Sequence, residues 1–377
     1  MPQLKYAQPA EIDLDGDRIR EAAELLAGWT APKKGPAPVP GGALLVGRNG
    51  RILEPQFFGR QGPEAGAEPI RRDGMFLLAS ITKPVTYLAA MKLVERGQLN
   101  LGDPVMRYLP DFAAHHKEDT LVLHLFTHTS GLPDMLPDNA ELRKKHASLE
   151  TFIREAEKLV PLFSPGSGRS YQSMGTLIVA ELVQKISGKP IDQFLRDEVF
   201  QPLGMSSSGL GSRGLDRKRL VRVQTPEYQA GTDFGWNSTY WQEFGAPWGG
   251  MFSSPEDLGA ICQLMLNGGT LGDNQLLSHA SVEAMTTNQL AYQPDVPEPE
   301  RRAHPWGLGW SLNHRGTSRS WGDLLGPRTF GHTGATGTMC WMDPDRNGFC
   351  LLLTSAIRSR APWRLVHLSN IVASAFR

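Results

Sequence analysis

The sequence predicts an α+β protein. One antiparallel sheet is drawn from both chain ends, helices cover it, and a mostly helical lobe stands beside it. Three observations carry this. Apolar runs of strand length occur near the N-terminus (ALLVG and ILEPQFFG) and return between residues 307 and 354. Helical periodicity fills most of the stretch between them. Amphipathic helical patterns also open and close the chain, at residues 17–29 and 365–376, ready to cover the sheet.

In the first helix Ile19, Ala22, Ala23, Leu25 and Leu26 line one face, and Asp15 or Asp17 can cap it. Residues 31–40, rich in proline and glycine, read as a connection. Asn49-Gly50 between the two apolar runs predicts a type I′ hairpin, and Pro55 marks an edge or a bulge. Val85, Leu88, Ala89, Met91, Leu93 and Val94 then recur at helical spacing, with Gly97 as a stop. Proline is tolerated only in a helix's first turn, so Pro84 places the start near Ser80.

Residues 101–110 are broken by prolines and read as turn. Residues 120–129 predict a short helix, stopped by Ser130-Gly131-Leu132-Pro133. Residues 149–159, 176–186 and 192–200 are helical in pattern, with Gly188 ending the second. Residues 164–168 form a turn that delivers Tyr171. The glycine- and serine-rich stretch 206–245 carries no assignment. Ser254 caps a helix over 254–267, Glu256 and Asp257 suit its first turn, and Gly268-Gly269 end it. A short helix over 278–286 and a proline-rich loop over 293–302 follow. Residues 307–312, 328–331, 338–342 and 349–354 read as strands, with a turn at 343–348. The expected organisation is one domain, residues 1–377. Its α/β lobe is about 1–110 and 303–377, its helical lobe about 111–302, and residues 1–40 form the N-terminal helix and connection. The cleft between the lobes is the expected site.

Of the 377 residues 40% are hydrophobic and 21% charged, ordinary for a globular chain. Lys+Arg and Asp+Glu balance at 39 each, which leaves no basic footprint for nucleic acid or an anionic membrane. Cys262, Cys340 and Cys350 are too scattered for a disulfide framework or zinc site and read as buried thiols. The first residues lack an apolar signal-peptide core, and no run approaches the length of a spanning helix, so the expectation is a cytoplasmic protein. Oligomeric state is not legible.

A helix beginning near Ser80 puts the Ser80 hydroxyl and the Lys83 amine one turn apart on one face. It also leaves the Ser80 N–H free at the positive end of the helix dipole. Nucleophile, amine and oxyanion donor then stand together. The G-x-S-x-G elbow is absent. The other arrangement, S-x-x-K followed by a second triplet and a strand triplet, is matched by Tyr171-Gln172-Ser173 and His332-Thr333-Gly334 in that order. No cofactor or metal is called for. His124 and His128 stand at i, i+4, but HLFTH lacks the glutamate of H-E-x-x-H and an obvious third ligand, so both read as structural.

With these motifs the chain resembles the penicillin-recognising serine hydrolases: class C β-lactamases, D-alanyl-D-alanine carboxypeptidases and, above all, family VIII carboxylesterases. The resemblance runs from about residue 41 to the end. It includes LFTHTSGLPD, FSPGSGRSYQSMGTLIVAELVQKISGKP, PLGM, WGGMFSSPEDLGAICQLMLNGG, WGLGW and FGHTGATG. It implies a β-lactamase/transpeptidase-like fold, with Ser80 as acylated nucleophile and Lys83 beside it, its pKa lowered by burial and any neighbouring cation. Tyr171 is the implied proton shuttle, its phenolate favoured by nearby positive charge. The N–H groups of Ser80 and Ala335 form the implied oxyanion hole, and Gly334 lets the strand approach the substrate. Ser173, His332, Thr333 and Trp248 are the remaining substrate-contact candidates. His332 either touches substrate or supports the hydrogen-bond network, and Trp248 either lines the pocket or packs. Two departures matter. Ser173 replaces the asparagine of the β-lactamase triplet, and His332 replaces the strand lysine that holds a substrate carboxylate. Family VIII esterases commonly carry both, with a Trp-Gly-Gly motif matched by Trp248-Gly249-Gly250. The expected partner is therefore a small-molecule ester or amide, with ester hydrolysis first. A β-lactamase or D-Ala-D-Ala carboxypeptidase, an acyltransferase and a silent binding protein are the alternatives.

Overall fold

The computed structural model describes residues 4–32, 37–313 and 321–377. Part of the expected connection over 31–40 falls outside these residues, as do residues 314–320, between the strands expected over 307–312 and 328–331. The centre of the main sheet joins the two chain ends. Gly41–Arg48 pairs antiparallel with Gly348–Thr354, from Gly42↔Thr354 to Arg48↔Gly348. Both strands are covered on both faces, so they carry continuous apolar runs. Leu44, Val46, Cys350 and Leu352 pack under the helices Gly16–Thr30 and Trp363–Ser374. Ala43, Leu45, Leu351 and Leu353 face the opposite way, into a larger core. That core takes in the helices Thr82–Glu95, Met174–Ser187 and Pro255–Leu266. Local chemistry sets the helix ends: Asp15 accepts from the N–H groups of Asp17 and Arg18, and Ser254 from Asp257.

Asn49 and Gly50 both have positive φ (55° and 77°), as a type I′ turn requires. Beyond it Ile52 pairs with Gly47 and Gln56 with Leu44. Four residues of the returning chain thus match three of its partner, a one-residue bulge around Pro55. On the other side the sheet continues through Met339–Asp343 and Phe330–Thr333 to Ser311–Leu312. One edge departs from the expectation: Lys5–Tyr6 pairs parallel with Arg51–Ile52, so the sheet is mixed.

Three further differences have physical reasons. The strand expected over 307–312 shrinks to two residues. Gly307 N–H closes a tight turn on Trp310 O (2.8 Å), Gly309 has φ of 89°, and the turn delivers Trp306 inward. The loop expected over 293–302 contains the helix Glu298–Ala303, which buries none of its residues and so shows no apolar period. It is held by Glu298 and Glu300 in its first turn and Arg301 and Arg302 in its last. The unassigned stretch 206–245 supplies the helix Thr239–Phe244 and the strand Ser208–Leu210. The latter joins a second small sheet with Met251–Ser253 and Phe76–Leu77. Among the described residues no helix is long and apolar enough to cross a membrane.

Candidate active site

The strand Phe76–Leu77 runs straight into Ser80. A 3-10 turn, Ala79–Ile81, carries the serine, and α-helical backbone begins at Thr82, two residues later than the sequence suggests. Pro84 is then the third helical residue, still among those whose N–H has no acceptor inside the helix. Ala79 is buried with φ of 49°, a left-handed conformation that costs a non-glycine residue about 1 kcal/mol or more. Surrounding hydrogen bonds enforce it. Leu78 N–H donates to Met251 O (2.9 Å), and Met251 N–H donates to Thr82 Oγ1 (3.1 Å). Thr336 Oγ1 and Thr338 Oγ1 donate to Leu77 O and Leu78 O, each at 2.8 Å. The segment after the Phe330–Thr333 strand is thereby bolted to the serine turn. Among the described residues the N–H groups of Ser80 and Ala335 have no hydrogen-bond partner, and both residues line one cavity of about 820 Å³.

Lys83 is buried beneath this turn. Its Nζ lies 3.3 Å from Ser80 Oγ and donates to Trp248 O at 3.2 Å; it also stands 4.6 Å from the centroid of the Tyr171 ring. Burial lowers its pKa to about 8, against the opposing influence of the Asp134 carboxylate. The neighbouring cation anticipated from sequence is not what lowers it. Tyr171 is shifted the other way. Burial pushes its phenol well above the usual range, and the Ser80 hydroxyl and the cations of Arg358 and Arg169 only partly offset this. The resting tyrosine is a phenol, not the phenolate expected from the resemblance. The lysine is the group that titrates near neutral pH.

His332 is buried on the Phe330–Thr333 strand, with Nδ1 2.8 Å from Thr333 O. A carbonyl only accepts, so Nδ1 carries the proton and Nε2 is left as an acceptor, unpartnered among the described residues. Burial, Lys83 and Arg358 lower its pKa to about 3, so the ring is neutral. The positive charge at this strand comes from elsewhere in the chain. Arg358 donates through its side chain to Thr333 Oγ1 (3.1 Å) and through its backbone to Ala335 O (2.9 Å). Gly334 is needed for a different approach than the one read from sequence. A Cβ there would lie 2.4 Å from Leu78 O and 2.1 Å from Thr338 Oγ1, so the strand is pressed against the serine turn itself.

Two candidates are not brought to the cavity wall. The Trp248 indole packs among Phe152, Trp241 and Phe244, and only its carbonyl reaches the site, through Lys83. Ser173 is buried, and its hydroxyl donates to Asp134 Oδ1 at 2.6 Å, so its proton is already committed. His124 accepts from Leu121 N–H and His128 from Gln172 N–H, as structural histidines do. His128 also packs against Tyr171 and Trp306, at 4.7 Å between ring centroids in each case. Sequence reasoning missed Asp134, Arg169, Trp306 and Arg358, all of which line the cavity. The first three stood inside recognised motifs (LFTHTSGLPD, FSPGSGRSYQSMG, WGLGW); Arg358, beyond the last strand, gave no signal.

The chain matches the sequence model of the family described as Beta-lactamase over residues 31–373. A curated relative from Escherichia coli O157:H7 named "Putative D-alanyl-D-alanine carboxypeptidase" is 26% identical over 396 residues, spanning 94% of this chain and 86% of that one. Two solved structures share the fold. One is EstCE1, described as a hydrolase with promiscuous acyltransferase activity, with a TM-score of 0.76 and 19% identity over 95% of this chain and 98% of that one. The other is a family VIII carboxylesterase, with a TM-score of 0.73 and 20% identity over 97% and 98%.

Proposed function

The chain belongs to the β-lactamase family, and from that premise we propose that it cleaves carboxylic esters through an acyl-enzyme on Ser80. Lys83, with a pKa of about 8, is partly neutral near pH 7 and takes the Ser80 proton as Oγ attacks the ester carbonyl. The developing oxyanion is met by the free N–H groups of Ser80 and Ala335. Tyr171 gives its phenol proton to the departing alkoxide, and the Lys83 ammonium beside its ring restores it. The acyl group remains on Ser80 Oγ. Water then attacks, its proton passing to the same base system, and Ser80 recovers its own as the acid leaves.

One observation carries the preference for esters. Where the β-lactamases have a strand lysine, His332 is neutral and presents a lone pair, the departure that family VIII esterases share, so any substrate carboxylate is left to cations placed elsewhere on the wall. The test is hydrolysis of 4-nitrophenyl butyrate, with Ser80→Ala as the blank and nitrocefin as competitor substrate. The expected result is ester turnover well above the blank and faster than nitrocefin opening. Nitrocefin hydrolysis without ester turnover would replace this reading with the second one, a β-lactamase or D-alanyl-D-alanine peptidase. That second reading is favoured by the name of the curated relative and by the Arg358 cation at the strand. An added alcohol in the same assay separates hydrolysis from acyl transfer by the product formed.

The pH dependence follows from Lys83. Its protonated form cannot accept a proton, so kcat/KM should rise with pH through about 8. Asp134 stabilises the ammonium, so Asp134→Asn should move this acid limb to lower pH. A limb that stays put or moves upward would remove Asp134 from the account.

A further inference from the structure

Arg169 stands two residues before Tyr171 on the cavity wall, with its guanidinium 5.2 Å from the Trp306 ring centroid. It forms no ion pair and no hydrogen bond among the described residues, and its Nε is buried without a partner. Burial lowers its pKa to about 10, against weak opposing fields from Glu300 and Tyr171. The side chain is half-buried, and a guanidinium partly withdrawn from water with a buried N–H left unpaired is held at a cost. Trp306 offsets part of that through its ring face. The same cavity holds a second cation, Arg358, and one carboxylate, Asp134, which already accepts the Ser173 hydroxyl. Among the described residues lining the wall around Ser80, two arginine cations thus face a single carboxylate, and the wall carries net positive charge.

We propose that Arg169 is a specificity-determining residue that binds an anionic group of the substrate, a carboxylate, with Arg358 as the supporting cation. This rests on the ester-hydrolase reading and deepens it. The cation absent from the strand position is supplied by the turn before Tyr171, and substrates bearing a carboxylate near the scissile ester are favoured over neutral ones. A guanidinium suits this task because its planar fork matches a carboxylate with two parallel hydrogen bonds.

The test uses two ester pairs, each with an anionic and a neutral member. Mono-4-nitrophenyl glutarate against 4-nitrophenyl valerate puts the anion on the acyl side. 4-Acetoxybenzoate against methyl 4-acetoxybenzoate puts it on the leaving-group side. In one pair the wild type should favour the anionic member at least tenfold in kcat/KM. Arg169→Gln should cut that ratio at least tenfold, and Arg169→Lys should restore part of it. Ratios at or below one in both pairs would overturn the proposal. So would an Arg169→Gln variant that lowers both members equally, which would make Arg169 only a support for Trp306. If no ester turns over, the hydrolase reading itself fails, and binding then decides. Mono-4-nitrophenyl glutarate should quench the tryptophan fluorescence of Ser80→Ala saturably, and the valerate much more weakly. Loss of the glutarate signal in Ser80→Ala/Arg169→Gln, with an unchanged thermal melt, would support the anion site; no saturable binding to Ser80→Ala would sink it.

Discussion

Replacing Lys83 with methionine is expected to lower ester turnover by a factor of about 1,000 or more, as loss of the base does, and at the same time to stabilise the fold at pH 7. The reason is the cost of the buried ammonium. In the folded chain the Lys83 pKa falls from the ordinary 10.5 to about 8, which corresponds to about 3 kcal/mol. The sign follows from proton counts. Between pH 8 and 10.5 the unfolded chain binds the proton and the folded chain does not, so stability rises with pH across that window. Below about pH 8 both states hold the proton, and the penalty is complete. Methionine is unbranched, carries no charge and fills a similar space. Its losses are the hydrogen bonds to Trp248 O and Ser80 Oγ, together worth about 1–2 kcal/mol. The net gain should be about 1–2 kcal/mol at pH 7, read as a shift in the urea midpoint, and it should shrink as the pH is raised from 8 to 10.5 and change sign above that, where only the lost hydrogen bonds count. A variant less stable than wild type at pH 7 would show that Lys83 is not the strained group, and one within tenfold of its activity that it is not the base.

The features legible in the sequence are those fixed by short stretches of chain. Asn49-Gly50 needs only its own two φ values to make a hairpin, and Ser254 caps the residues that immediately follow it. Ser80 and Lys83 are legible for the same reason, since one helical turn sets their separation. Tyr171 and the 332–335 segment are found by the order of motifs, which carries no distances. What stayed hidden is what the fold brings together from far away. Arg358 meets Thr333 only because the chain turns back after the last strand, and Asp134 reaches Ser173 across 39 residues. Burial was equally invisible. From sequence His332 is only the replacement for a strand lysine; enclosed beside Lys83 it is neutral with its tautomer set. Trp248 followed the opposite course. Its motif pointed to the pocket, yet the ring found three aromatic neighbours in the core, and the backbone carbonyl took the contact with Lys83.

Gly334→Ala should be nearly as damaging as loss of the base, and for a reason that lies in the serine turn, not in the substrate. Gly334 does not adopt a left-handed backbone, so conformational freedom is not what selects glycine there. Space is. The added methyl would overlap Leu78 O at 2.4 Å, Thr338 Oγ1 at 2.1 Å and Ala79 Cβ at 3.1 Å. Thr338 can be trimmed, but a backbone oxygen cannot. The 334–338 segment must therefore lift away from Leu78 and Ala79, stretching the Thr336 and Thr338 hydrogen bonds that fix it there. Overpacking of this kind costs about 1–3 kcal/mol of stability. The larger effect is on chemistry. The N–H groups of Ser80 and Ala335 sit on opposite sides of that contact and must converge on one oxygen, which tolerates only a few tenths of an ångström. Turnover should fall about 100-fold or more, with acylation by a fluorophosphonate probe slowing in parallel. Gly334→Ala/Thr338→Ala should recover only a small part of the loss, because Leu78 O remains. Activity within threefold of wild type in Gly334→Ala would mean that the two N–H groups do not act as a pair, and the oxyanion site would have to be sought elsewhere on the cavity wall.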